Sequence, residues 1–280
     1  MFIVSDVEWN SLKQQVLNYK KSAYAESTKG SYCTMRDSFL RFCVYFHLNP
    51  VPASSDTICN YVVFLSQSLS VSSIPCYMNV VRLMHIEQGF ENPLKGYDYS
   101  IVVKGINRQL GRPPKQKLPI TVDILVRIKC VLDMNSSRNK AFWSACILGF
   151  LGFFRKSTLL PKTCKNVNKS LLIRDVHIAD SGDFVSIAVR HTKTIQFGQR
   201  ILVIPFYRSN NVDLCPVKAI SSSLASICKF QSVNDQPLFS YYEKGKLKFF
   251  VHSDFVKLLK SCLSQIGLDP NLYSGHSFRR

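Results

Sequence analysis

The chain has 280 residues, of which 46% are hydrophobic, enough to bury one large core or two ordinary ones and too many for a disordered protein. Lys and Arg number 36 against 18 Asp and Glu, a formal charge of +18 that calls for a polyanionic partner, nucleic acid first, unless the basic surface serves solubility alone. Ten cysteines without a single C-x-x-C pair, and six histidines that do not cluster, exclude a disulfide scaffold and a zinc finger.

The first 24 residues are polar and read as an N-terminal extension. They carry acidic residues where a signal peptide needs a basic region, so secretion is not expected. An amphipathic helix follows, with Tyr32, Met35, Phe39, Phe42, Cys43 and Phe46 at spacings of three and four, and the run Asn49, Pro50, Val51, Pro52 ends it. A second helix starts at Ser55 and Asp56, which can cap it, and presents Ile58, Tyr61, Val62, Leu65 and Leu69 on one face. Two more are predicted, over Pro75–Gln88 and Tyr99–Leu110, which makes residues 25–110 an all-helical domain.

Residues 111–119, GRPPKQKLP, hold three prolines and three basic residues and are predicted to be an extended, poorly packed linker. Arg112, Lys115 and Lys117 suit a segment lying along a DNA backbone; a solvated connector explains them equally well. Residues 120–280 carry 23 basic and 10 acidic side chains, against 13 and 8 in residues 1–119, so the second part faces phosphates more heavily.

In that second part, helices are predicted over Val122–Leu132 and Asn139–Gly152. The apolar run Ala141–Phe154 falls short of the roughly 20 residues of a membrane span and reads as a core helix. Three short segments rich in β-branched residues, Leu171–His177, Phe184–Arg190 and Arg200–Phe206, are predicted to form an antiparallel sheet of hairpins. Helices return at Pro216–Lys229 and Ser253–Ile266. The expected fold class is mainly α with a small antiparallel β-sheet (α+β). Cys33, Cys43, Cys59, Cys76, Cys130 and Cys146 lie in helix-like apolar patterns and read as small buried hydrophobes of a reducing compartment.

Four basic residues stand where chemistry is possible. Arg155 follows the apolar helix, where a guanidinium can clamp a phosphate in bidentate fashion; the helix dipole alone also favours a cation there. Lys193 lies at the turn between two predicted strands, where its ammonium can reach a groove and donate a proton; a solvated loop lysine is the commoner case. His276 and Arg279 are three apart, and on a helix they share a face and can address one phosphate. Arg280 points elsewhere and, with Lys156 and Arg190, reads as a backbone contact.

The order of these groups resembles the tyrosine recombinase family, the phage integrases and their relatives in eukaryotic mobile elements. The segment FLGFFRKSTLLP (150–161) looks like the family's first-arginine box and TKTIQFGQ (192–199) like the catalytic hairpin of the eukaryotic element-borne members. LCPVKA (214–219) and GHSFRR (275–280) follow in the family's order, and residues 25–110 are similar to its core-binding domain. The resemblance implies a core-binding domain over 25–110, a catalytic domain over 120–280, a duplex DNA partner, a tetramer on DNA, a nuclear site of action, and neither metal nor cofactor. It implies that Arg155 and Arg279 bind the non-bridging phosphate oxygens, Lys193 protonates the leaving 5′-oxygen, and His276 assists.

Two departures stand out. Thr158 occupies a position, three after the first arginine, where the family often has an acid. The family's nucleophilic tyrosine normally lies some tens of residues beyond the His-x-x-Arg segment, and Tyr273 precedes His276. The chain is therefore expected to be cut off before its nucleophile, and to bind DNA without cleaving it. Rival readings are a repurposed, non-catalytic DNA-binding protein with the recombinase fold, a type IB topoisomerase, and a helical RNA-binding or protein-interaction module.

Overall fold

The computed structural model describes residues 6–113, 116–165, 167–192, 200–227 and 234–279. The chain forms two compact units, residues 1–114 and 115–280, each with its own hydrophobic core. The division falls inside the proline-rich basic stretch. The fold class is α+β: helices dominate both units, and the strands lie in the second.

Unit 1 contains α1 (Asp6–Ser22), α2 (Glu26–Tyr45), α3 (Ser55–Ser66), α4 (Ile74–Glu87) and α5 (Tyr97–Leu110). Its core follows from the periodicity: Phe39, Phe42 and Cys43 of α2 pack against Ile58, Tyr61, Val62 and Leu65 of α3 and Met78, Val80, Val81 and Met84 of α4. The cap of α3 is Ser54, one residue earlier than expected, whose hydroxyl accepts the Thr57 amide at 3.1 Å. Buried His85 joins α4 to the loop before α3: its Nδ1–H donates to the Val81 carbonyl at 2.8 Å and its Nε2 accepts the Ala53 amide at 2.9 Å. The polar extension is itself helical, as α1, with Trp9, Leu12, Val16 and Leu17 all exposed.

Unit 2 is built around α7 (Ser137–Leu151), every residue of which from Ala141 to Gly149 is buried. Packed about it are α6 (Val122–Cys130), the four-residue α8 (Lys156–Leu159), α9 (Pro216–Ala225), α10 (His252–Gln265) and two small sheets. One sheet is antiparallel in the order β1 (Val176–Ile178), β2 (Phe184–Val189), β3 (Leu202–Tyr207), with Val189 opposite Leu202.

The predicted first strand is the main correction to the sheet. Only its end is a strand, because the Asp175 carboxylate accepts the Leu172 amide at 3.0 Å and turns Ile173–Asp175 into a 3₁₀ helix. Leu171 and Ile173 bond instead to the chain at Leu238 and Gln236. The second sheet, β4 (Ser240–Glu243) paired with β5 (Lys246–Phe249), was not foreseen. Its two-residue turn, Lys244 and Gly245, has φ of 51° and 72°, the doubly positive backbone of a tight hairpin. The helix expected to reach Lys229 ends at Ala225, and residues 228–233 lie outside the described part.

The cysteine expectation holds for some positions only. Cys43 and Cys146 are buried, Cys59 is half-buried, and Cys33, Cys76 and Cys130 are exposed. Helical spacing marks a face, and a small residue at the edge of that face can turn either way. Among the described residues no helix is long and apolar enough to cross a membrane, and no three His, Cys, Asp or Glu gather as a metal site would require.

Candidate nucleic-acid interface

Arg155 sits between two helices. α7 stops at Leu151, Phe153 takes a positive φ of 48°, and Arg155 becomes the extended residue that precedes α8, half-buried beside Lys156. It therefore lies four residues beyond the buried helix, on the turn that follows it.

His276 directly precedes a 3₁₀ turn, Ser277–Arg279, that ends on Arg279, a geometry in which residues three apart eclipse. Burial alternates accordingly: Ser277 and Phe278 point inward while His276 and Arg279 are exposed. The turn is held by its own serines. The Ser277 hydroxyl accepts the Ser274 amide at 3.0 Å, the Ser274 hydroxyl accepts the His276 amide at 3.2 Å, and the Ser277 amide donates to the Ser274 carbonyl at 2.9 Å. The Ser277 carbonyl accepts the Ile120 amide at 2.9 Å, and the Leu272 carbonyl accepts that of Leu118 at 2.7 Å. Ser274 and Ser277 escaped the sequence reading, although an S-x-x-S spacing spanning the histidine was there to be seen.

Two glycine contacts bring the segments together. A side-chain carbon at Gly149 of α7 would stand 3.6 Å from the Phe278 ring and 3.3 Å from Leu159 of α8. One at Gly275 would stand 2.7 Å from Cδ of Lys156, so the lysine stem crosses the chain directly before His276. The turn bearing Arg155 and Lys156 thus packs beside the turn bearing His276 and Arg279.

His252, at the start of α10, fastens the far end of α8. Its Nε2–H donates to the Leu160 carbonyl at 3.0 Å and its amide to the Pro161 carbonyl at 3.1 Å. Burial pushes the imidazole pKa down, and the Lys156 and Lys162 ammonium groups push it further, against the opposing effect of the backbone carbonyls. The field there is positive, as composition requires: residues 152–165 and 270–279 hold Arg155, Lys156, Lys162, Lys165 and Arg279 and no acid. Such a surface attracts phosphate oxygens.

The remaining expected contacts divide. Lys193 and its segment 193–199 lie outside the described residues, within the connection between β2 and β3; Lys115 and Arg280 lie outside as well. Arg112 is exposed. Lys117 donates to the Asn271 carbonyl at 2.6 Å, and with the Leu118 and Ile120 bonds this makes the end of the expected loose linker a packed edge of unit 2. Arg190 donates its Nε to Asp175, a pair of which the arginine side chain is 41% exposed and the carboxylate 3%. Its place is fixed by that buried acid, a structural duty that its sequence position did not reveal. Tyr273 is buried.

No family model matches the chain. It is similar to a curated protein described as an integrase/recombinase xerD homolog from Selenomonas ruminantium, with 26% identity over 266 residues, covering 91% of this chain and 72% of that protein. Among solved structures it matches a crystal structure of XerA recombinase with 16% identity and a TM-score of 0.35, covering 96% of this chain and 80% of that one.

Proposed function

We propose that this chain is the DNA-binding, phosphate-activating core of a tyrosine recombinase. The contact of Lys156 with Gly275 carries the reading, because it brings together two sequence-distant turns, 152–165 and 270–279, that hold five Lys and Arg and no acid; similarity to the integrase/recombinase homolog along 91% of the chain supports it. Residues 25–110 serve as the core-binding domain, 111–119 as the basic connection, and 120–280 as the catalytic domain. Arg155 and Arg279 bind the non-bridging oxygens of the scissile phosphate and stabilise the charge that builds up as the phosphorus becomes five-coordinate. Lys193 gives its proton to the departing 5′-oxygen, and His276 hydrogen-bonds the phosphate. A tyrosine hydroxyl displaces that oxygen and keeps the 3′-phosphate as an ester, so no cofactor is required.

All twelve tyrosines precede His276, so in this reading the nucleophile is not among the 280 residues. The chain as it stands binds duplex DNA and forms no covalent link; the intact protein works as a tetramer on two duplexes. The likeness of residues 192–199 to element-borne eukaryotic members supports a mobile-element origin and a nuclear site of action. Thr158 at the family's acidic position favours a second reading, a repurposed DNA-binding protein.

Binding to duplex DNA measured across salt concentrations tests the partner. Affinity is expected to fall about 10³- to 10⁵-fold between about 50 and 200 mM salt for roughly six to ten phosphate contacts, and a preference for RNA over duplex DNA in competition would sink the reading. A suicide substrate that trapped a covalent adduct on these 280 residues would overturn the statement about the nucleophile. In a protein that supplies the tyrosine, Arg155→Ala and Arg279→Ala are expected to abolish cleavage while binding persists; cleavage that survives them overturns the roles given to the two arginines, and a protein that has both arginines and the tyrosine yet does not cleave leaves the repurposed reading standing.

A further inference from the structure

Phe153 is an unfavourable residue for the turn that carries Arg155. Its φ of 48° is a left-handed backbone that glycine or asparagine adopts at lower cost. Its ring is also 60% exposed. His47 and Lys244, the other non-glycine residues with positive φ among the described residues, are exposed as well, but both are polar. Phe153 is therefore penalised twice, by its backbone and by water, where glycine would avoid both.

The fold does not need this ring. Packing at the corner falls to Phe154, which is 7% exposed and meets the Phe206 ring at 6.2 Å. Gly152 makes room for that inward turn, since a side-chain carbon there would stand 2.6 Å from the Phe154 ring. Among the described residues no aromatic ring pairs with Phe153, and it is the one exposed phenylalanine of unit 2. A strained residue that packs against nothing points to a ligand it meets.

We infer that Phe153 contacts DNA, its ring packing on the deoxyribose and base edge of a nucleotide beside the phosphate bound by Arg155; this rests on reading unit 2 as a DNA-binding, phosphate-activating core. Exposure alternates along the turn, with Phe154 pointing into the core and Phe153 and half-buried Arg155 away from it. Two residues span at most about 7 Å, and successive phosphates of one strand are about 3.4 Å apart along the duplex axis. The ring thus lies within a nucleotide or two of the phosphate on Arg155. The charge around it selects the partner: residues 152–165 hold Arg155, Lys156, Lys162 and Lys165 and no acid. An apolar protein surface gains nothing from those cations, and a bare polyanion gains nothing from the ring. Nucleic acid, whose phosphates alternate with apolar sugar and base faces, gains from both.

The test measures binding of the 280-residue chain and its variants to duplex DNA and to inorganic polyphosphate across salt concentrations, together with thermal melts. Phe153→Gly and Phe153→Asn are expected to lower duplex affinity about five- to hundredfold, the range of one aromatic–nucleotide contact. They leave the salt slope and the polyphosphate affinity unchanged, because the ring neutralises no phosphate. They melt at or above the temperature of the parent, because the left-handed strain is relieved. Phe153→Tyr, which keeps the ring and the strain, binds like the parent. Arg155→Ala is the contrast: it weakens both ligands and reduces the salt slope by about one. Duplex affinity of the glycine and asparagine variants within twofold of the parent overturns the inference, and salt-dependent binding by the parent then leaves the proposed function standing. An equal loss on duplex and polyphosphate, or a lowered melting temperature, makes the ring structural and overturns it too. A parent that does not bind duplex DNA removes the proposed function and the inference with it.

Discussion

The two units solve the same packing problem with different means. Unit 1 joins helices that are neighbours in sequence, and its core residues recur on single faces of α2, α3 and α4. Unit 2 surrounds α7 on all sides and ties distant segments by backbone bonds: Leu118 to Leu272, Ile120 to Ser277, Leu238 to Leu171, His252 to Pro161. The candidate residues Arg155, His276 and Arg279 lie in the second unit, at turns that those ties hold. A short turn has too few residues to fix its own geometry, whereas one bonded to a buried helix and a neighbouring strand-like segment inherits theirs.

The sharpest way to break this contrast is to empty the centre of unit 2. Phe142 is wholly buried between Phe250 and Phe255, with ring centres 6.0 and 5.1 Å away. Phe142→Ala is expected to destabilise unit 2 by about 3–5 kcal/mol, seen in hydrogen exchange as lost protection of α7 and α10 while the α2–α4 amides of unit 1 keep theirs. Equal loss in both units would erase the distinction. Next in size is Asp175→Ala, which strands the buried Leu172 amide and removes the partner of Arg190. The expected cost is about 1–3 kcal/mol, because the arginine is partly hydrated and only the amide is left without an acceptor. Denaturant unfolding measures it, and a change within error would mean that water replaces the carboxylate.

Ser277→Ala removes the hydroxyl that accepts the Ser274 amide, at an expected cost of about 1 kcal/mol. If the serines position His276, DNA affinity should fall as well, although residue 277 is itself buried. The smallest effect concerns pH. The folded His252 pKa lies below its ordinary value of 6.5, so the unfolded chain takes up the proton first. Its contribution to stability is complete above about pH 6.5 and is lost as pH falls from there through the lowered folded value. Thermal melts of the chain and of His252→Gln should therefore diverge on the alkaline side and converge in acid; parallel curves would assign the slope to other groups.

Most helices were legible in the sequence, because α2, α3, α4 and α7 each carry an unbroken periodic or wholly apolar signal, and local spacing is all such a signal needs. The sequence also sets the order of Arg155, Lys193, His276 and Arg279 and the charge that asks for a polyanion. It misread Leu171–Asp175 as strand because a carboxylate three residues on competes for the Leu172 amide, and propensity does not register that competition. It passed over β4 and β5, whose strands are four residues each, too short for alternation to emerge. No linear signal shows that Lys156 crosses Gly275, that Arg190 belongs to Asp175, or that Lys117 and His252 fasten the turns beside the basic residues. These are contacts between residues far apart along the chain. A linear pattern gives each residue's type and spacing, and which distant partner it meets is fixed when the α7 core closes and sets every turn against its neighbour.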